Sequence, residues 1–362
     1  MEALNKGEAL VFGEDIYRIK RVISGEKSRF VYFVSNGTHF YVIKELLASP
    51  TKLRKNTVRD VHTKQAVFAD GFVPDEPVEA VGNWEIRANS IAVRDADNNS
   101  SRVFPARQLP NKEPRAAAYL LIYSVTGKPL DAVRGEWHDD FAVQAVDTAL
   151  KAAEALDLAM HKKGLLHLDI KPNNLYLTDD KTVKLIDLGS SYPLDQASVT
   201  DDMFDTIQST KMYQSPLLSA IASENNYHYK NRARLAALAE KLSVKDDIFA
   251  LAKTLIFLLS GTCDKGKIRL QDDVCQAEVM RVINKATYGC TVEAVGRSFA
   301  TGEYESCDEL IMELRELREI IENNGLHDAV ILRKGKAFVN RQMRMRKLEL
   351  QEDLIPDIKP LD

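Results

Sequence analysis

His167-Leu168-Asp169-Ile170-Lys171-Pro172-Asn173-Asn174 and, shortly after, Lys184-Leu185-Ile186-Asp187-Leu188-Gly189 decide how this chain reads. Each joins a short apolar run to acidic or amide side chains. That is the composition of loops set beside buried strands, where a scaffold holds polar groups in place. A carboxylate (Asp187) and a carboxamide (Asn174) offer the oxygen donors that a Mg²⁺–phosphate site needs. Asp169 is of the type that accepts or orients the proton of an attacking hydroxyl. Lys171 supplies a point charge suited to a transferring phosphate.

The two segments resemble the catalytic loop and metal loop of the eukaryotic-type (Ser/Thr) protein kinase family, in a divergent form. The family pattern H-R-D-L-x-x-x-N is met with Leu168 for Arg and Ile170 for Leu, and D-F-G is met as Asp187-Leu188-Gly189. The resemblance implies Asp169 as catalytic base and Lys171 as the lysine typical of Ser/Thr-directed members. It implies Asn174 and Asp187 as metal ligands, ATP and Mg²⁺ as cofactors, and a protein substrate. The implied fold class is α+β in two lobes, an antiparallel sheet plus helix C followed by a mainly helical lobe.

Nearer the N-terminus the signals are strands. Ile16–Ile23, Phe30–Val34 and His39–Leu46 alternate or run apolar, and Asn36-Gly37 marks a hairpin between the last two. Tyr41-Val42-Ile43-Lys44 resembles the family's V-A-I-K strand, which makes Lys44 the candidate for the α- and β-phosphates. Ile23, Gly25 and Val31 fall in the stretch that resembles the nucleotide-covering loop. It keeps one glycine, and missing glycines restrict how closely backbone N–H groups approach phosphates. Leu120–Val125 resembles the hinge strand, with Ile122 as gatekeeper and the backbone of Tyr123 and Val125 facing the adenine. Thr57–Phe68 is expected as one helix. It holds no Glu for Lys44, so Asp60 or Gln65 is the candidate partner. Trp84–Val93 and Ala117–Val125 return to strand character, and the polar stretch Asp95–Pro114 reads as a loop or hairpin tip.

Past the metal loop, Ser209-Thr210-Lys211-Met212-Tyr213-Gln214-Ser215-Pro216-Leu217 resembles the end of an activation segment, G-T-x-x-Y-x-A-P-E, with Leu217 where the family has Glu. The family's later Arg partner falls at Glu303. Both halves of that ion pair are absent together, which avoids leaving one uncompensated charge in a partly buried place. Leu217 is therefore expected to be buried and Glu303 exposed. The segment between Pro216 and Asp247 is a candidate brace for the loop. Asp247 matches the helix start that ties to the catalytic-loop backbone in the family, and His161 reads as core or capping. Helices are expected over Phe141–His161, Asn231–Leu242, Asp247–Leu259, Ala277–Ala286 and Cys307–Asn323.

The organisation that follows is an N-lobe at 1–122, a C-lobe at 123–325 and a basic tail at 326–362. Arg333–Lys347 reads as a solvated helix face, with docking to an acidic partner or anionic surface as the alternative. A net charge of −4 over 362 residues argues against a nucleic-acid coat. The four cysteines form no C-x-x-C pair, the usual sign of a zinc site. No secretory signal opens the chain, and the most apolar run, Ile248–Leu259, is too short for a membrane span. A cytoplasmic protein, in its own cell or a host's, is expected. Three functions fit: a Ser/Thr protein kinase, a pseudokinase or regulatory nucleotide-binding module, and a kinase-fold transferase acting on a small molecule. Fold alone does not choose among them.

Overall fold

The computed structural model describes residues 4–12, 15–26, 29–46, 57–59, 66–68, 101–105, 118–137, 141–195, 199, 207, 209–225, 231–270 and 272–323. The chain divides into two compact units. One comprises Met1–Thr126, Lys162–His167 and Asp187–Ile207; the other comprises Gly127–His161, Leu168–Ile186 and Gln208–Asp362.

The first unit is built on antiparallel strands: β1 (Ala9–Phe12), β2 (Asp15–Glu26), β3 (Arg29–Ser35), β4 (Phe40–Leu46), β5 (Thr57–Arg59), β6 (Ala66–Phe68), β7 (Ser101–Pro105) and β8 (Ala118–Tyr123). Six of them form one sheet in the order β1-β2-β3-β4-β8-β7. Successive side chains of a strand point to opposite faces, so Tyr17, Ile19, Phe30, Tyr32, Val34, Tyr41 and Ile43 gather on one face as the core. The rings of Tyr17 and Tyr41 meet edge to face at 5.3 Å. At the β3–β4 turn, Asn36 Oδ1 accepts from the N–H groups of Thr38 (3.0 Å) and His39 (2.9 Å), and Gly37 adopts φ +99°. The Asn-Gly signal thus marks a real hairpin.

The expected helix over Thr57–Phe68 is not formed. β5 and β6 pair antiparallel instead, Val58 opposite Val67. β-Branched and aromatic residues (Thr57, Val58, Val67, Phe68) favour strands, and they outweigh the ragged amphipathic pattern. Asp60 and Gln65 lie outside the described residues, as do Trp84–Val93 and the tail 326–362. The stretch Asp95–Pro114, expected as a loop or hairpin tip, contains strand β7, paired with β8.

The second unit begins with β9 (Lys128–Pro129), α1 (Leu130–Arg134) and α2 (Phe141–Ala159). Gly127, at φ +119°, precedes them; a side chain there would collide with the Leu177 carbonyl. The short strand β10 (Leu165–Leu166) belongs to the first unit, β11 (Leu175–Leu177) and β12 (Val183–Leu185) to the second, and β13 (Tyr192–Pro193) pairs back with β10 in the first. Then come α3 (Pro216–Asn225), α4 (Arg232–Ala239), α5 (Val244–Ser260), α6 (Asp273–Thr287), the hairpin β14 (Cys290–Ala294) and β15 (Arg297–Thr301), and α7 (Cys307–Asn323). Leu310, Ile311, Leu314, Leu317 and Ile321 form the buried stripe of α7, which packs on the alanine-rich α2. Ser243 caps α5 in a capping box with Asp246, and Gly261 ends it in the left-handed conformation. The hairpin β14–β15 was not expected from the sequence; Val295 and Gly296 both take positive φ at its turn. The structure as a whole is α+β, a sheet-built unit and a mainly helical one. Among the described residues no helix is long and apolar enough to cross a membrane.

Candidate active site

Leu168 adopts φ 59°, a left-handed conformation that costs a branched residue about 1 kcal/mol. The turn is held from α5. Asp247 Oδ1 accepts the Leu168 N–H at 2.8 Å, and Asp247 Oδ2 lies 3.0 Å from His161 Nε2, all of it buried. Asp247 therefore ties the loop backbone as the sequence implied, and His161 orients that carboxylate. Leu168, where the family has Arg, is itself buried.

This anchored turn presents Asp169. Its Oδ2 accepts from Lys171 Nζ at 2.6 Å and from Asn174 Nδ2 at 3.0 Å. Its Oδ1 accepts from the Thr210 N–H at 3.1 Å and from Thr210 Oγ1 at 3.0 Å. Lys171 Nζ also donates to Thr210 Oγ1 at 2.8 Å. Asn174 is buried in a one-turn 3₁₀ helix begun by Pro172, and its Nδ2 donates a second time, to the Asp169 carbonyl at 2.9 Å. Asp169, Lys171 and Asn174 are thus brought together. Thr210, which the sequence reading did not single out as a site residue, joins them. Its signal was there, in the Thr of the activation-segment pattern, but its approach to Asp169 spans 41 positions and belongs to tertiary structure.

In the first unit, Lys44 Nζ meets Asp187 Oδ1 at 2.8 Å; their side chains are 8% and 29% exposed. Lys44 thus meets a carboxylate of the metal-loop segment; its candidate partners Asp60 and Gln65 lie outside the described residues. Asp187 adopts φ 64°, a second strained non-glycine residue at a candidate site position. Val31 and Lys44 are cross-strand partners, on the sheet face opposite the core cluster. Gly25 lies in β2 opposite Phe30, and Ile23 sits at a register shift between Val22 and Ser24, 43% exposed. Ile122 and Tyr123 are backbone partners of Val42 and Tyr41 in β8, and Val125 follows, half-buried.

Asn174 and Asp187 each offer an oxygen donor of the kind a hard cation takes. Both hydrogen bonds of the Asn174 amide nitrogen go to Asp169, to its carbonyl and its Oδ2.

The sequence model of the protein kinase domain matches residues 142–285. A probable serine/threonine-protein kinase of Clostridium acetobutylicum is 30% identical over 145 residues, 40% of this chain and 21% of that protein. Serine/threonine-protein kinase PknA of Mycobacterium tuberculosis is 34% identical over 106 residues, 29% of this chain and 24% of its own length. The 3-phosphoinositide-dependent protein kinase 1 of Arabidopsis thaliana is 34% identical over 121 residues, 30% of this chain and 21% of that kinase. The matched stretch thus spans about a quarter or less of each relative.

Proposed function

We propose that this chain, a divergent relative of the Ser/Thr protein kinases over residues 142–285, transfers the γ-phosphoryl group of ATP to Ser or Thr hydroxyls of a protein. The observation that carries the reading is the Asp169 carboxylate, met by Lys171, Asn174 and Thr210. A carboxylate fixed by that many donors is preorganised, and it needs no rearrangement when charge develops near it.

In this reading Asp169 orients the acceptor hydroxyl and takes its proton. Lys171, already at Asp169, balances the charge that builds on the transferring group. Asn174 and Asp187 are the proposed magnesium ligands, which rests on motif order and on the donor types described above. Bound magnesium would neutralise phosphate charge and orient the leaving group. Lys44 is proposed to exchange Asp187 for the α- and β-phosphates. Ile23, Gly25, Val31 and Ile122, in the lobe at 1–122, and Tyr123 and Val125 just after it, are proposed to take the rest of the nucleotide. The lobe at 123–325 would carry the chemistry and the protein substrate, in a cytoplasmic setting. A nucleotide-binding module has no use for a general base, so the Asp169 constellation favours an enzyme over the pseudokinase reading. The loop Thr210–Ser215 beside Asp169 suits an extended peptide better than a small molecule.

The test is incubation with γ-labelled ATP, Mg²⁺ and casein, followed by phosphoamino-acid analysis. Label on Ser or Thr of casein, lost in Asp169→Asn, is the expected outcome. Label that never leaves ATP, or that appears equally with Asp169→Asn, would remove the assignment.

A further inference from the structure

The loop 209–215 is pinned at both ends by carboxylates, one half-buried and one buried. At one end Thr210 sits on Asp169. At the other, Ser215 Oγ donates to Asp246 Oδ1 at 2.5 Å and accepts the Leu218 N–H at 3.1 Å. Between them, Gln214 Nε2 donates to the Ser209 carbonyl at 2.8 Å, and the Tyr213 N–H to the Thr210 carbonyl at 2.8 Å, so the loop is braced from within. Asp246 is 5% exposed and Ser215 3% exposed. Its second oxygen accepts the Ser243 N–H at 2.9 Å. One side chain thus joins the start of α3 to the start of α5.

The neighbouring residue does the same for a different segment, since Asp247 holds Leu168. The first turn of α5 therefore carries two adjacent carboxylates, one gripping the loop that presents Asp169 and one gripping the segment beside it. A helix N-terminus is where such anions are best tolerated. Meanwhile the ion pair that the sequence pattern would place at the end of this segment is missing: Leu217 is buried and Glu303 exposed. Something else must fix the segment, and the Ser215–Asp246 bond is in the right place.

We propose that Asp246 is a positioning residue for protein substrate, acting through Ser215 to set the loop 209–215 against which an acceptor peptide lies. The inference rests on the kinase reading above, deepening its account of how the peptide is held. Asp246 touches neither nucleotide nor acceptor; it fixes the segment whose other end touches Asp169. Losing the bond frees the loop at one end while Thr210 still holds the other, so acceptor binding weakens more than the chemical step.

The experiment uses the whole chain as wild type, Ser215→Ala, Ser215→Thr, Asp246→Ala and the double variant Ser215→Ala/Asp246→Ala, with casein as acceptor. Loss of a hydrogen bond to a charged group predicts a rise of about tenfold in the casein KM for each single alanine variant. The double variant should be no worse than the worse single, because both remove one interaction. Changes in kcat and in the KM for ATP should stay within about twofold, the split expected when only acceptor binding is touched. Ser215→Thr, which keeps the hydroxyl, should remain near wild type. Amide hydrogen exchange over 209–215 should quicken in the alanine variants and stay unchanged over 168–175. An active wild type with Ser215→Ala unchanged in casein KM and in exchange overturns the inference alone, as does an additive double variant. A wild type that never labels casein overturns the kinase reading instead, and quickened exchange in Ser215→Ala would then still establish the tether. Should Asp246→Ala fail to fold, the Ser215→Ala and Ser215→Thr pair decides.

Discussion

Two regions of the helical unit treat charge in opposite ways. Around Asp169 and the start of α5, carboxylates are half-buried (Asp169) or buried (Asp246, Asp247), and each meets several donors: Thr210, Lys171 and Asn174 on Asp169, Ser215 and Ser243 on Asp246, and Leu168 and His161 on Asp247. Where α3 approaches β15, the charges that a related pattern would supply are replaced. Leu217 is 3% exposed, and Glu303 faces solvent. The difference shows what this fold asks of a charge. In these two regions a carboxylate leaves solvent only where donors converge on it, because an uncompensated buried charge costs several kcal/mol. Otherwise an apolar side chain takes the place. The first arrangement fixes functional groups; the second only stabilises.

The largest expected effect comes from removing a charge in the first region. Asp169→Asn should lower kcat by about 10²–10⁴-fold, the range for a general base, with little change in the KM for ATP. In the sheet-built unit, Asp187→Asn should abolish Mg²⁺-dependent transfer. Steady-state assays with labelled ATP read both, and equal turnover by Asp169→Asn and wild type would erase the functional side of the contrast.

Adding a charge to the second region comes next. Leu217→Glu should destabilise the fold by about 3–5 kcal/mol, since a carboxylate would enter a dry site without a cation. Combining it with Glu303→Arg should recover part of that loss through direct coupling. Thermal denaturation of the four proteins in the cycle tests it. Simple additivity would mean that residues 217 and 303 do not meet.

A smaller effect is reached by titration. Burial, opposed by the bonds from Ser215 and Ser243 and aided by Asp247, pushes the Asp246 carboxyl up to about 6. A raised carboxyl favours the protonated folded state. Its stabilising contribution is full below about pH 4 and is lost as the pH rises through about 6, on the order of 2–3 kcal/mol in all. Asp246→Asn should flatten that part of the stability–pH curve. A mutant with the same slope as wild type between pH 4 and 7 would assign the titration elsewhere.

The smallest effect belongs to a charge outside both regions. Lys128 Nζ and Glu136 Oε1 pair at 2.6 Å with both side chains more than half exposed. Glu136→Gln should change stability by less than about 1 kcal/mol in urea titrations. A loss as large as that of Leu217→Glu would show that exposure is a poor guide to the worth of a charge here.

Much of this was legible in the chain. Periodicity fixes local structure, so the strands from Asp15 to Leu46 and the helix Cys307–Asn323 follow from alternation and from a 3.6-residue stripe. The order and residue types of Asp169, Lys171, Asn174 and Asp187 carry the resemblance on which the proposed chemistry rests, before any coordinate does. Where local signals were balanced, the reading failed: Thr57–Phe68 pairs as strands, and the turn at Val295-Gly296 gave too little warning of a hairpin. Tertiary structure alone decided which distant groups meet. Thr210 reaches Asp169, Lys44 meets Asp187 across 143 positions, and Ser215 finds Asp246 across 31. Such pairings depend on how whole elements pack and on which buried polar groups then lack partners, a global condition that no local pattern encodes.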